Sequence, residues 1–434
     1  MADSFAEEPT RAPASFKPDT IFQQIEKEKH PEAPKEKSTP EASLPSDKAP
    51  AEGEDSYGIS GNWNGKRKTL EDAGFAFSAI YKGDWVRNFK GGVRKQSSYF
   101  DNLDLKLLID GEKVLGLKGW SFFLYGLGNS GADRGGRLSL AVGDNQVSDN
   151  IETTVDDFKL FEAWAQYLNE ENHFSVLFGI HDLNSEFYVT DSSLLFINSS
   201  FGIGAELSAT GVNGSSVFPY TAPAIRVRVE PTKRMYLMSA AFNAISGNPE
   251  FSNGSAFTLS GKNGVLFIHE LGFTGTDESP YKIALGYWSY SKTFDSLETT
   301  PKPASSYGGY FLADKTINSW LSAFLRYGIA SSETNLVRDN ISAGLMLKGV
   351  VPHRPRDRLG LGVTRATPGA EFRALMDSSG TPLIGDETQW EVTYRIEVLK
   401  GLALQPDFQY VVHPGFDPSL SNAVVGGLRV EISL

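Results

Sequence analysis

The chain has 434 residues, a hydrophobic content of 40%, a formal net charge of −12 and no cysteine. The lack of thiols excludes a disulfide scaffold, thiolate metal sites and cysteine catalysis, and the acidic balance argues against nucleic acid as a partner. No apolar run approaches the roughly 18 residues that a membrane-spanning helix needs. The strands of a membrane β-barrel are only half apolar and barely register on hydropathy, so that class stays open.

The first 55 residues differ in composition from the rest of the chain. They hold eight of the 22 prolines but only one of the 43 glycines, with 13 acidic and seven basic residues. Such a segment cannot bury enough apolar surface to fold, so we expect a disordered, charged, proline-rich tail over 1–55 and a folded unit over 56–434. The opening residues MADSFAEEPTRAP contain no apolar signal-peptide core. Either the protein is not exported or this is the mature form with an added start Met, and the strand pattern below favours the second.

A short helix is predicted over residues 63–73, where Leu70 follows Trp63 by seven positions and Gly74 is a natural C-cap. Every later segment has the character of a strand. The sixteen predicted strands are 75–86, 98–110, 119–128, 157–169, 173–182, 222–231, 234–245, 263–274, 280–290, 305–314, 318–330, 337–349, 356–366, 387–398, 401–412 and 422–433.

The connections between these strands alternate in length. Short ones occur at 169–172, 231–233, 275–279, 312–318 and 399–401, whereas long ones occur at 129–156, 183–221, 246–262 and 367–386. Short turns at one end and long loops at the other are typical of an up-and-down outer-membrane barrel. A Greek-key sandwich is not expected to separate them in this way. The fold class predicted is therefore all-β, a 16-stranded antiparallel transmembrane outer-membrane β-barrel.

The stretch QWEVTYRIEV (389–398) shows which face of the wall should be wet. Its apolar and polar side chains alternate, as they must on the two faces of one strand. A sixteen-stranded barrel is too wide for side chains to fill, so its interior should hold water. We therefore expect Trp390 to face lipid and Glu391 to face the interior. Pro406, in the middle of a predicted strand, removes a ladder hydrogen bond and predicts a local bulge.

Several long stretches resemble the carbohydrate-selective porins of the OprB family. They are GNWNGKRKTLEDAG (61–74), GDWVRNFKGGVR (83–94), NLDLKL (102–107), LFEAWAQ (160–166), GIHDLNSEFYVTDSSLLFINSSFG (179–202), ETQWEVTYR (387–395) and LQPDFQYVVHPG (404–415). The resemblance covers nearly all of residues 58–434 and leaves out the tail. It implies a Gram-negative outer-membrane barrel of sixteen strands that passes monosaccharides, glucose-like sugars above all, by facilitated diffusion. The family often carries an Arg on the strand of LFGIHD, where this chain has Leu177, so the sugar preference stays open.

The chemistry of the candidate pore-lining residues suits a neutral sugar. A polyol needs donors and acceptors to replace its water, together with an apolar surface for the C–H face of its ring. The candidates are Asn102, Asp104, Glu162, Trp164, Gln166, Asn184, Glu186, Arg226, Arg228, Glu391 and Arg395. Their mixed charge avoids the strong ion selectivity of a ring of one sign. For each of them the alternative is that it only solvates the lumen or pairs across the wall, and Trp164 could equally pack beneath a loop.

The connection at 183–221 is expected to fold into the mouth of the barrel and narrow the channel. A connection of this length is usually functional or disordered. Order is favoured here because Phe187, Tyr188, Phe196, Phe201 and other apolar side chains would be costly to leave in water. The alternative is an outward loop that packs against a neighbouring protomer.

Other functions remain as alternatives to a sugar pore. The six histidines are scattered, and neither GxSxG nor HExxH occurs, so no enzyme, cofactor or metal site is predicted. A glycosidase stays open only because paired carboxylates need geometry to be recognised. A second alternative is a general or structural barrel without sugar selectivity, whose tail binds peptidoglycan or a periplasmic protein. The expected partners are monosaccharides and outer-membrane lipid, and the choice between monomer and homotrimer stays open.

Overall fold

The computed structural model describes residues 57–131, 135–153, 156–171, 173–247 and 264–434. The predicted tail at 1–55 lies outside these residues, so the division into tail and folded unit stays a prediction. No helix within the described ranges is long and apolar enough to span a membrane.

Sixteen antiparallel strands close into one barrel, in which each strand pairs with its neighbours in sequence and β1 pairs with β16. The strands are β1 Phe75–Gly92, β2 Gln96–Asp110, β3 Trp120–Ser130, β4 Asp157–Asn169, β5 Phe174–His181, β6 Ala222–Thr232, β7 Met235–Asn243, β8 Val265–Thr276, β9 Ser279–Asp295, β10 Pro303–Asn318, β11 Leu321–Ala330, β12 Val337–Lys348, β13 Arg358–Pro368, β14 Glu387–Leu399, β15 Leu402–Val412 and β16 Ser421–Ser433. The predicted fold class is confirmed.

The described residues also form five short α-helices between or before the strands: α1 Lys66–Asp72, α2 Gly111–Leu115, α3 Leu138–Val142, α4 Ala205–Ser208 and α5 Ala370–Ser378. Helix α1, preceded by a 3-10 turn at Trp63–Gly65, occupies the region predicted as helical. Arg67 attaches it to the barrel where the wall closes. Its guanidinium donates to the carbonyl oxygens of Phe77 (2.8 Å) and Leu434 (3.1 Å).

The connections separate by length as expected. At one end, here the turn end, β6–β7, β8–β9, β10–β11 and β14–β15 are joined by very short links, and the longest links are 111–119 and 349–357. At the opposite end, here the loop end, long connections occur at 131–156, 182–221, 244–264 and 369–386. Shorter links also occur at the loop end, at 93–95, 296–302, 331–336 and 413–420. This arrangement places the long segments together around one mouth of the barrel.

The two faces of the wall have opposite character along β14, as the alternation predicts. Trp390 is 55% exposed and Val392 is 45% exposed, whereas Gln389 and Glu391 are buried. Apolar side chains of other strands are exposed in the same way, among them Ile225, Leu237, Leu285 and Phe408. The apolar face is therefore the outer face and the polar face of β14 is the inner face.

The inner face is not polar everywhere. On β7, β8 and β9 it carries Met238, Phe242, Leu266, Ile268 and Trp288, which are buried in one large hydrophobic cluster. These strands are apolar on both faces, as expected for strands covered on both sides. Something other than water therefore covers this part of the interior.

The bulge predicted at Pro406 is wrong. Pro406 pairs with Leu428 of β16 in an unbroken register. Its side chain is exposed on the outer face. The register shift between β14 and β15 lies instead between Glu397 and Leu399, next to the turn.

Candidate functional site

The β5–β6 loop, residues 182–221, packs against the inner face of strands β7 to β15. Its backbone forms three 3-10 turns, Leu183–Ser185, Asp191–Leu195 and Ser199–Phe201, followed by helix α4. Asp182 and Asn198 cap two of these turns, each accepting a hydrogen bond from the backbone N–H two residues on. The sequence favours an ordered loop, because residues that cap helical turns alternate here with apolar side chains that can be buried.

The apolar side chains of the loop meet the apolar part of the wall. The loop contributes Leu183, Phe187, Tyr188, Ile203, Leu207 and Val217 to the same cluster that holds the inner residues of β7, β8 and β9. A second cluster joins Phe196 and Phe201 of the loop to Phe324 of β11. Apolar surface removed from water stabilises by about 25 cal/mol per Å², so the burial of these side chains favours the docked loop.

Charged side chains of β10 and β14 bind the backbone of the loop. Asp314 of β10 accepts hydrogen bonds from the N–H and hydroxyl of Ser192, both at 2.7 Å. Glu391 of β14 accepts from the N–H groups of Ile197 (2.6 Å) and Asn198 (2.9 Å). Buried N–H groups must find acceptors, and carboxylates of the wall supply them.

The β3–β4 loop reinforces this arrangement. Glu387 of β14 accepts hydrogen bonds from the N–H groups of Asn145 and Gln146. The two loops also bond to each other, because Asn150 N–H donates to the carbonyl of Ile197 at 2.9 Å. Burial and neighbouring carboxylates raise the pKa of Asp144 and of Asp149 in this loop.

Four of the candidate residues meet where the β5–β6 loop leaves β5. Arg226 of β6, fully buried, donates to Glu186 through Nε (2.8 Å) and Nη2 (2.7 Å), to Gln166 (2.6 Å) and to the hydroxyl of Ser175 (2.7 Å). His181 lies between two carboxylates, with Nδ1 2.8 Å from Glu162 and Nε2 2.9 Å from Glu186. Burial opposes the charge of Glu186, but Arg226 and His181 outweigh it and hold the pKa of Glu186 well below its ordinary value. We call Glu162, Gln166, His181, Glu186 and Arg226 the Arg226 cluster.

Other candidates lie near the Arg226 cluster without joining it. On β2, Asn102 donates to Asp104 at 2.5 Å, and Asp104 also accepts from the hydroxyl of Tyr125. Trp164 stacks on Phe123 at 4.9 Å between ring centroids. Arg228 continues the inner face of β6 and pairs with Glu230 at 2.8 Å. Its side chain remains 20% exposed.

The remaining candidates have contacts elsewhere. Asn184 donates to the carbonyl oxygens of Phe187 and Gly202, so it braces the loop internally. Glu391 is only 1% exposed and binds the loop backbone, as described above. Arg395 pairs with Glu431 at 2.6 Å. The structure thus places Glu391 and Arg395 on the β14–β16 wall, apart from the Arg226 cluster.

Comparisons with known proteins agree with this architecture. The family model described as "Carbohydrate-selective porin, OprB family" matches residues 94–434. Porin B of Pseudomonas aeruginosa is 26% identical over 424 residues, which cover 86% of this chain and 90% of that protein. The high-pH structure of Pseudomonas putida OprB covers 87% of this chain and 98% of its own, with 24% identity and a TM-score of 0.76. The low-pH structure of the same protein gives 19% identity and a TM-score of 0.57.

This chain belongs to the OprB family of carbohydrate-selective porins. It is a channel of the Gram-negative outer membrane rather than an enzyme, and carbohydrates are the substrates of its family. No group of His, Asp and Glu side chains within the described ranges is arranged to hold a metal ion.

Sequence reasoning missed several residues that position the loop of this porin. Glu270 of β8 and Arg326 of β11 each stand on an inner face that is otherwise largely apolar, and both are buried. The signal was present in VLFIHELGF (265–273), where Leu266 and Ile268 share a face with Glu270. A single charge within an apolar inner face indicates that something covers that face and supplies a partner.

Proposed function

We propose that this porin carries neutral monosaccharides, glucose-like sugars above all, by facilitated diffusion through a water-filled passage that the β5–β6 loop narrows. The observation that supports the proposal is the Arg226 cluster, in which Glu186 of the loop meets Arg226 of the wall. A loop residue and a wall residue in direct contact define an edge that a permeating solute has to pass.

The chemistry of this edge favours a polyol over an ion. In the Arg226 cluster, donors and acceptors of both signs are paired with one another and their side chains are buried, so the charges at this edge compensate each other. Paired opposite charges also leave little net field, which limits the ion selectivity of the passage. Trp164 lies on the same face of β4 as Glu162 and Gln166, but it is buried against Phe123, so we assign it to packing behind the cluster rather than to contact with a sugar ring.

The other candidate residues of this region extend the passage along the inner wall. Arg228 keeps part of its side chain in contact with solvent, and Asn102 and Asp104 stand on the neighbouring wall. We assign them to weak contacts along the route. Binding has to stay weak for a facilitated pathway, since a site that retains its sugar blocks the flux.

Single-channel conductance titrated with glucose tests the proposal. Glu186→Gln keeps the size of the side chain but removes the charge that pairs with Arg226, and we expect glucose block to weaken about tenfold. Glu230→Gln is the matched control, because it makes the same change in another Arg–Glu pair on the inner face of β6. Block that is equally unchanged in both variants would contradict a role for the Arg226 cluster.

A further inference from the structure

Tyr188 has an unusual backbone for a large side chain. Its φ angle is +63°, in the left-handed region that bulky residues rarely occupy. Such a conformation persists only where the surroundings over-determine it, and it occurs often at functional sites. Tyr188 follows Glu186 of the Arg226 cluster by two residues.

Every polar group of Tyr188 has a partner. Its N–H donates to Glu270 of β8 (3.0 Å), its carbonyl accepts from Arg326 of β11 (3.1 Å), and its hydroxyl donates to Glu206 of α4 (2.9 Å). The ring stacks on Tyr310 at 4.2 Å, and the Arg326 guanidinium lies 4.5 Å from the ring centroid. Three strands of the wall therefore hold this one loop residue.

The partners of Tyr188 are themselves fixed. Glu270 also accepts hydrogen bonds from the hydroxyls of Tyr236 (2.5 Å) and Tyr310 (2.7 Å) and pairs with Lys282 at 3.2 Å. Arg326 donates in addition to the carbonyl oxygens of Phe201 and Gly202, so it binds the loop at two separate points. Because these groups are buried, the loss of one partner leaves the others without compensation.

We propose that Tyr188 is the positioning residue that fixes Glu186 against Arg226 and so sets the width of the sugar passage. This inference rests on the proposed function of the Arg226 cluster. Tyr188 does not contact the sugar; it acts through the two-residue link to Glu186. The loop is held at 186 by β6 and at 188 by β8, β10 and β11, and the short segment between the two attachments has little freedom.

Tyr188→Ala tests the inference, with Tyr290→Ala as the matched control. Tyr290 belongs to the same hydrophobic cluster and its hydroxyl contacts Thr210 of the same loop, but Thr210 is far along the chain from Glu186. We expect Tyr188→Ala to raise the single-channel conductance and to weaken glucose block about tenfold. Tyr290→Ala should lower the melting temperature about as much as Tyr188→Ala does, but it should keep glucose block within about twofold of the wild type.

Two further variants keep the test decisive. Tyr188→Phe retains the ring and the backbone contacts, so glucose block should return close to the wild-type value. If Tyr188→Ala does not fold, Arg326→Lys preserves the charge but reaches fewer carbonyl oxygens, and it should shift glucose block in the same direction. Equal glucose block in the Tyr188 and Tyr290 alanine variants, or in Arg326→Lys and wild type, would overturn the inference. Glu186→Gln separates this inference from the proposed function. If Glu186→Gln weakens glucose block but Tyr188→Ala and Arg326→Lys do not, the positioning role fails and the proposed function stands. If Glu186→Gln has no effect on glucose block, the proposed function itself fails.

Discussion

The two walls that hold the β5–β6 loop use different chemistry. On β7, β8 and β9 the loop meets Met238, Ile268 and Trp288, and burial of apolar surface provides the attraction. On β14 it meets Gln389 and Glu391, whose oxygens accept from the Asn198 side chain and from the backbone N–H groups of Ile197 and Asn198. Apolar burial is non-directional, whereas hydrogen bonds require a fixed geometry. The apolar wall therefore supplies most of the affinity, and the hydrogen bonds of β14, together with those of Glu270 and Arg326 to Tyr188, fix the register of the loop.

Deleting residues 190–215 should have the largest effect on this comparison. The deletion removes the contacts with Asp314 and Glu391 and uncovers the apolar wall. We expect conductance to rise several-fold and sugar block to disappear. Single-channel recording measures both conductance and sugar block. A variant with a shortened 369–386 connection is the control, because helix α5 of that connection has no buried residue. An unchanged conductance in a folded deletion variant would place the constriction elsewhere.

Three substitutions on β14 compare its outer face with its loop-binding face. Val392→Arg places a charge on the outer face and should lower the free energy of unfolding by about 2–4 kcal/mol at the bilayer midplane. Glu391→Arg should be at least as damaging, because the N–H groups of Ile197 and Asn198 lose their acceptor, at about 1–3 kcal/mol each. Glu397→Gln, near the turn end and paired with exposed Arg356, is the control and should change stability by less than about 1 kcal/mol. Denaturant titration in detergent measures the free energy of unfolding of all three variants. A small loss of stability in Glu391→Arg would contradict the role of Glu391 in holding the loop backbone on β14.

The stability of the docked loop should depend on pH through Glu206. Burial raises the pKa of Glu206 from 4.5 to about 7, against the opposing effects of the Tyr188 hydroxyl and Arg326. The folded state therefore holds this proton more tightly than the unfolded chain, so the stability that Glu206 contributes is greatest at low pH and falls as pH rises from 4.5 to about 7. The loss attributable to this group is roughly 3 kcal/mol, from about 1.4 kcal/mol per pKa unit.

Melting temperatures measured across this pH range test the prediction. Glu206→Gln cannot ionise and keeps an oxygen that can accept from the Tyr188 hydroxyl, so it should flatten the step between pH 4.5 and about 7. The same step in wild type and variant would assign the pH dependence to another group.

Deleting residues 2–55 should have the smallest effect. The tail lies outside the family match, which begins at residue 94, and its composition lacks the apolar surface that a contact with either wall would need. We expect folding and single-channel conductance to remain close to those of the full chain. Loss of folding in detergent would show that the tail belongs to the barrel, and loss of binding to peptidoglycan or a periplasmic protein would give the tail its own role.

The fold could be predicted from the sequence because each strand carries its own period-two pattern. In β14 the alternation of Trp390, Glu391 and Val392 fixes both the strand and its two faces. The apolar inner face of β7 to β9 escaped the same reasoning, since a strand that is apolar on both faces gives no sign of which face is inside. Its partner, the β5–β6 loop, is distant in sequence from β8 and β9.

The candidate site could be predicted only in part. Residue chemistry singled out Gln166, Glu186 and Arg226, which the structure brings into contact. It treated Glu391 in the same way, although that carboxylate binds the loop backbone. The pattern on a strand shows which way a side chain points, but not whether water or a folded loop lies in front of it.

Sugar flux into liposomes that contain the wild-type porin tests the central claim most directly. Uptake of a series of monosaccharides and disaccharides is compared with that of uncharged polyethers of matched size. A passage edged by the Arg226 cluster predicts that glucose-like monosaccharides enter faster than a polyether of equal size and that disaccharides enter more slowly than size alone requires. Uptake that follows molecular size alone, with no difference between sugars and polyethers, would contradict it.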